Sequence, residues 1–161
     1  MKLKKFEGNP ILSPLKTNDW ESLVTCNPGV IYDNGVFYML YRAAGNDPEH
    51  VIRLGLAISK DGFHFQRVSD QPVFGPSEDG PDSGCVEDPR IVKYGKEFYI
   101  TYAYRPYAPG QYWKFGHDEI LLPECGDDAP LALRNNLGNT GLAMTTDFHK
   151  FRRLGRLTST R

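Results

Sequence analysis

Apolar and polar positions in this chain alternate in short runs separated by turn residues, the signature of β-strands. Val30-Ile31-Tyr32-Asp33 and Val36–Arg42 (VFYMLYR) are β-branched and aromatic runs split at Asp33-Asn34-Gly35, a strong hairpin signal. A third run, IRLGLAIS, reaches the turn Lys60-Asp61-Gly62 and is followed by FHFQRV. The pattern then recurs: RIVKY, a turn at Tyr94-Gly95-Lys96, EFYITYAY, TGLAMTT, a turn near Asp147, and HKFRRLG. No window sustains apolar residues at i, i+3, i+4 and i+7, so long helices are not expected. Eight short strands in two groups of four are predicted.

The two groups are copies. Pro28/Pro89, Phe37/Phe98, Tyr38/Tyr99 and Tyr41/Tyr102 match at an offset of 61. The second halves, GLAISKDGFHF from Gly55 and GLAMTTDFHKF from Gly141, match at an offset of 86. Four-stranded units repeated in order read as propeller blades. A β-sandwich with chance similarity is the alternative, and two halves matching in the same order count against it. In a propeller the start of each unit tends to face a shared central cavity. Asn27 and Asp88 fall at that equivalent point and are expected to face the axis together.

The expected organisation is one partial propeller domain over 1–161: an entry segment with a ring-closing strand over about 1–24, blade 1 over 25–75 and blade 2 over 76–161. The larger second offset leaves an insertion near 105–136, rich in Pro, Gly and acidic residues. Its aromatics Tyr107, Tyr112, Trp113 and Phe115 suit either stacking on a sugar ring or pinning the loop to the blade. Two blades do not close a ring, so the chain reads as the N-terminal portion of a larger or split protein. Self-association or a missing C-terminal half is the expected partner of its open faces, alongside poor solubility of the chain alone.

Composition narrows function mainly by exclusion. With 19 Lys and Arg against 20 Asp and Glu, the net charge of −1 gives no footprint for nucleic acid. The basic cluster Lys150, Arg152, Arg153 and Arg156 reads as a solvated strand face. No apolar run is long enough to span a membrane, and Met1–Leu12 lacks a signal-peptide core. Cys26, Cys85 and Cys125 show no zinc spacing or close pairing, which fits a reducing, cytoplasmic setting. The four histidines are scattered, so no metal is expected.

From the residues alone, Asp88-Pro89 suits a plain turn opening a strand as well as an active carboxylate. Gly84–Ile91 (GCVEDPRI) nevertheless resembles the corresponding segment of glycoside hydrolase family 130. So do Asn9-Pro10-Ile11-Leu12, Asn27-Pro28, Tyr41-Arg42 and Ser59-Lys60-Asp61-Gly62. The resemblance runs over about Phe6–Leu154. It implies a five-bladed propeller acting on β-mannosides, most often as an inverting phosphorylase, sometimes as a hydrolase. It implies that Asp88 is the general acid protonating the glycosidic oxygen, in the phosphorylases by way of a mannosyl hydroxyl. It places Asn27, Arg42, Arg53 and Arg90 in the sugar pocket. Glu87 would tune its neighbour, opposing the ionised form of Asp88 where Arg90 would favour it.

No cofactor is implied beyond inorganic phosphate as co-substrate in a phosphorylase, with an oligosaccharide as the other substrate. Family phosphate-binding residues belong to later blades. Arg134-Asn135-Asn136 has oxyanion chemistry but sits in the insertion. Two further readings stand beside this one. The first is a non-catalytic carbohydrate-binding propeller fragment. The second is a five-bladed glycosidase of the arabinanase or invertase kind, against which Asn27 counts, because those enzymes place an Asp in the first blade.

Overall fold

The computed structural model describes residues 2, 4–108 and 138–157. Among these residues the structure is all-β apart from one 3-10 turn at Asp19–Glu21. Strands β1 (Val24–Asp33), β2 (Val36–Ala44), β3 (Arg53–Ser59) and β4 (Gln66–Arg67) form one antiparallel sheet in sequence order. Strands β5 (Cys85–Tyr94), β6 (Glu97–Arg105), β7 (Asn139–Thr145) and β8 (Arg152–Arg156) form the second in the same way. These are two blades of the five-bladed propeller type, at the places the repeat marked. The stretch of the insertion holding Tyr112, Trp113, Phe115 and Arg134-Asn135-Asn136 lies outside the described residues, as does Cys125.

Strand alternation explains how the blades stack. On β2, Leu40 turns to the second blade while Met39, Tyr41 and Ala43 turn away from it. On β6, Phe98 and Ile100 turn to the first blade. Leu40 and Leu56 of blade 1 thus bury against Phe98, Ile100 and Phe148 of blade 2. Leu54 and Phe74 pack on Val86, Tyr102, Tyr104 and Ala143. Each such side chain taken from water contributes about 1.5–3 kcal/mol, so this apolar layer holds the blades together. A backbone bond from Val86 N to Ile52 O (3.1 Å) also crosses the boundary.

Two local outcomes differ from the sequence pattern. The FHFQRV run joins β3 through Gln66 and Arg67 and a backbone bond from Val68 N to Leu56 O (3.0 Å). Asp61 Oδ1 takes the amides of Phe63 and His64, both at 2.8 Å, so these two residues belong to the turn rather than the ladder. Asp147 closes the equivalent turn in blade 2 on the amides of His149 and Lys150. The entry segment forms turns and bends before Asp19, and the final blade that its expected closing strand would complete is not among the described residues. Leu12 packs on the outward face of blade 1, as do Trp20 and Phe65.

The basic cluster near the end of the described chain is not simply a solvated face. Arg153 donates from Nε to the buried carboxylate of Asp82 (2.7 Å), which also accepts from the Tyr102 hydroxyl (3.0 Å). Blade 1 has the same clasp. Arg67 Nε lies 2.8 Å from Glu21 Oε1, and the Tyr41 hydroxyl donates to Glu21 Oε2 at 3.1 Å. Glu21/Asp82 and Tyr41/Tyr102 obey the first repeat offset, and Arg67/Arg153 the second.

Candidate active site

Asn27 and Asp88 meet. Asn27 Nδ2 donates to Asp88 Oδ1 at 3.0 Å across the blade boundary. The local cause is a bulge in each inner strand. The β1–β2 register slips between Cys26 and Gly29, and the β5–β6 register between Glu87 and Arg90. In each bulge the residue before proline takes a left-handed backbone: φ is 44° at Asn27 and 55° at Asp88. Asn and Asp are among the few residues that tolerate this region, and proline removes the amide that a regular ladder would need. Asp88-Pro89 is therefore a bulge inside β5 rather than a turn opening it.

The two bulges lie against one another at Gly29. A Cβ there would sit 2.6 Å from the Pro89 carbonyl oxygen, so only glycine permits the approach.

Arg42 completes the group from β2. Its Nη1 lies 2.7 Å from Glu87 Oε2 and 3.1 Å from Asp88 Oδ1, with the Arg42 side chain only 15% exposed. Burial is the largest single influence and opposes the guanidinium charge, but Glu87, the hydrogen bond and charge of Asp88, and Cys26 together outweigh it, and the Arg42 pKa is held above its ordinary value. Glu87 reaches back with Oε1 to Arg105 Nε at 3.3 Å. Oδ1 of Asp88 is thus held by two donors, whereas Oδ2 has no protein partner among the described residues.

Other titratable groups stand nearby. Burial raises the Cys26 pKa, with Arg42 opposing, which keeps it a thiol. Burial and the Arg42 charge push His50 down to about 4, so its imidazole is neutral at physiological pH. Cys85 is fully buried and pushed up to about 12 by burial and Glu87, as suits a core filler.

Of the sequence-derived site residues, Asn27, Arg42, Glu87 and Asp88 come together. Arg90 and Arg53 do not join them. The bulge adds a residue to β5, and the exposed Arg90 donates to its neighbour's carbonyl, Pro89 O (2.8 Å). Arg53 donates to Val51 O (3.3 Å) at the start of β3. Sequence reasoning missed Arg105, whose link to Glu87 follows from the register that pairs Cys85 with Arg105. Among the described residues no group of three or more His, Cys, Asp or Glu is placed to hold a metal, and no helix is long and apolar enough to cross a membrane.

Residues 2–114 match the family model described as beta-1,4-mannooligosaccharide phosphorylase. The chain belongs to glycoside hydrolase family 130. It is 40% identical over 107 residues to a 1,2-beta-oligomannan phosphorylase of Thermoanaerobacter sp. (strain X514), covering 63% of this chain and 36% of that protein. It is 37% identical over 112 residues to a beta-1,2-mannobiose phosphorylase of the same organism, with the same shares covered. The chain therefore spans about a third of the length of these family 130 relatives. A glycosyl hydrolase structure from Bacteroides ovatus matches in fold, with a TM-score of 0.66 at 24% identity over 93% of this chain and 39% of that one.

Proposed function

We propose that this family 130 chain supplies the acid side of the active centre of a β-mannoside phosphorylase. The observation that carries the reading is the meeting of Asn27 and Asp88, raised on matching bulges of two blades, with Arg42 beside them. Asp88 is the general acid. Because Oδ1 is engaged by Asn27 and Arg42, Oδ2 presents the proton. Inorganic phosphate attacks the anomeric carbon from the opposite face of the mannosyl ring. The bond from that carbon to the glycosidic oxygen breaks. The proton from Asp88 passes to the departing oxygen, directly or through a mannosyl hydroxyl. The products are an α-mannosyl phosphate and a shortened acceptor, with inversion. Asn27 and Arg42 orient the mannosyl unit, and the phosphate is bound by residues other than the four gathered here.

The names of the two relatives favour β-1,2-linked mannosides as the substrate class over the β-1,4 linkage of the family description. The test measures phosphate consumption by the full-length protein with β-1,2- and β-1,4-mannobiose, for wild type and Asp88→Asn. Phosphate-dependent turnover, higher on the β-1,2 disaccharide and reduced by a factor on the order of 10² to 10⁴ in Asp88→Asn, is expected. Mannose release without phosphate would make the protein a hydrolase. Unchanged turnover in Asp88→Asn would remove Asp88 from the role of acid.

A further inference from the structure

Three carboxylates are buried among the described residues: Glu21, Asp82 and Glu87. The first two close the clasps of their own blades. Glu87 instead joins the blades, and it does so at the one guanidinium nitrogen that also serves Asp88. Arg42 Nη1 is shared between Glu87 Oε2 and Asp88 Oδ1. Such sharing is not what a guanidinium does when left alone with a carboxylate. Its planar fork favours two parallel bonds to both oxygens of one partner. Here Arg42 Nε is buried with no hydrogen-bond partner among the described residues, so the fork is not closed on Asp88. Glu87 is anchored on its other side by Arg105, with its side chain 9% exposed.

We infer that Glu87 is a positioning residue: by holding Arg42 Nη1, it limits Arg42 to one bond on Asp88 Oδ1 and keeps Oδ2 open to the departing oxygen. This rests on the reading of Asp88 as general acid. Glu87 touches no substrate in this account. When it is removed, the guanidinium swings onto both oxygens of Asp88, and the oxygen that should carry the proton is occupied. Blade 1 has nothing comparable. The residue matching Glu87 there is Cys26, and the residue matching Arg42 in blade 2 is Ala103.

The experiment compares Glu87→Gln and Asp88→Asn in the full-length protein on two substrates. One is β-1,2-mannobiose, whose departing oxygen needs a proton. The other is 2,4-dinitrophenyl β-mannoside, whose leaving group departs without one. Glu87→Gln is expected to lower kcat on mannobiose by about tenfold or more, within the range of general acid catalysis. KM should change little, and the aryl substrate should be spared. An equal loss on both substrates, or none on mannobiose, overturns the inference. Should Glu87→Gln fail to fold, Glu87→Asp is read on the same pair, because it keeps the charge but draws it back from Arg42. A smaller loss of the same selectivity is then expected, and an unselective one overturns the inference. Failure of the general-acid reading is seen separately, as turnover of mannobiose retained by Asp88→Asn.

Discussion

Blade 1 and blade 2 are built on one plan and then furnished differently. Each has a left-handed bulge before a proline, a tyrosine whose hydroxyl ends on a buried acid, an arginine that pairs with that acid, and a turn closed by an aspartate. These features give each blade the same shape. The differences gather where the inner strands meet. Asn27 stands opposite Asp88, Cys26 matches Glu87, Arg42 matches Ala103, and Ala44 matches Arg105. The repeat thus provides a scaffold with two equivalent perches, and the polar cluster between them is asymmetric because they are occupied unequally. An amide faces a carboxylate, and a cation from one blade serves two acids of the other.

Exchanging the two perches is the most severe way to break this comparison. The double substitution Asn27→Asp with Asp88→Asn keeps the charge count and allows an amide-to-carboxylate hydrogen bond across the same gap. A symmetric pair would keep its activity. Arg42 and Glu87, however, are placed for a carboxylate on blade 2. The exchanged protein should remain as impaired as Asp88→Asn alone, down by a factor on the order of 10² to 10⁴ in kcat on mannobiose. Recovery to within a few-fold of wild type would mean that the asymmetry is incidental.

The clasps test the shared half of the plan. Glu21 and Asp82 are 0% and 1% exposed, and each accepts from a tyrosine and an arginine. Breaking a buried pair by removing one partner costs about 3–5 kcal/mol. Glu21→Gln and Asp82→Asn should both fall toward the lower part of that range, since Arg67 and Arg153 are partly open to solvent. The similarity is the sharper prediction. Chemical denaturation should give values for the two variants that agree within about 1 kcal/mol, while the proposed turnover of the folded protein hardly moves. A large loss in one blade alone would show that the clasps are not equivalent.

What the sequence disclosed follows from how each feature is encoded. The two four-stranded sheets and the meeting of Asn27 with Asp88 were readable because aromatic strands repeat at fixed offsets. The bulges were not. Asp88-Pro89 also read as a turn opening a strand, and the left-handed residue in each bulge is fixed only when the neighbouring strand slips register. Arg90, which the motif puts beside Asp88, follows the slip directly and donates to its neighbour's carbonyl, Pro89 O. The clasps were legible in principle. Glu21 and Asp82 share the offset of the tyrosines they bind, but they lie outside the apolar runs, where a polar residue draws no notice. The bridging of Arg42 to Glu87 between blades left no periodic trace, because it occurs once.

The smallest expected effect concerns the glycines that make room for the clasps. Gly55 and Gly141 sit across the sheet from Tyr41 and Tyr102. A Cβ at Gly55 would approach Cζ of Tyr41 to 2.2 Å, and one at Gly141 would approach Cζ of Tyr102 to 2.6 Å. Neither ring can simply withdraw, because its hydroxyl is tied to a buried acid. Overpacking of this kind costs about 1–3 kcal/mol, and the closer approach in blade 1 puts Gly55→Ala at the upper end. Loosening the tyrosine should relieve it. Adding Tyr41→Phe to Gly55→Ala frees the ring from Glu21, so the two costs should sum to more than the double variant loses. The same cycle with Tyr102→Phe and Gly141→Ala should show a weaker coupling of the same sign. Strict additivity in both blades, measured by thermal or denaturant unfolding of the four single and two double variants, would mean that the rings move aside freely and that the glycines serve some other purpose.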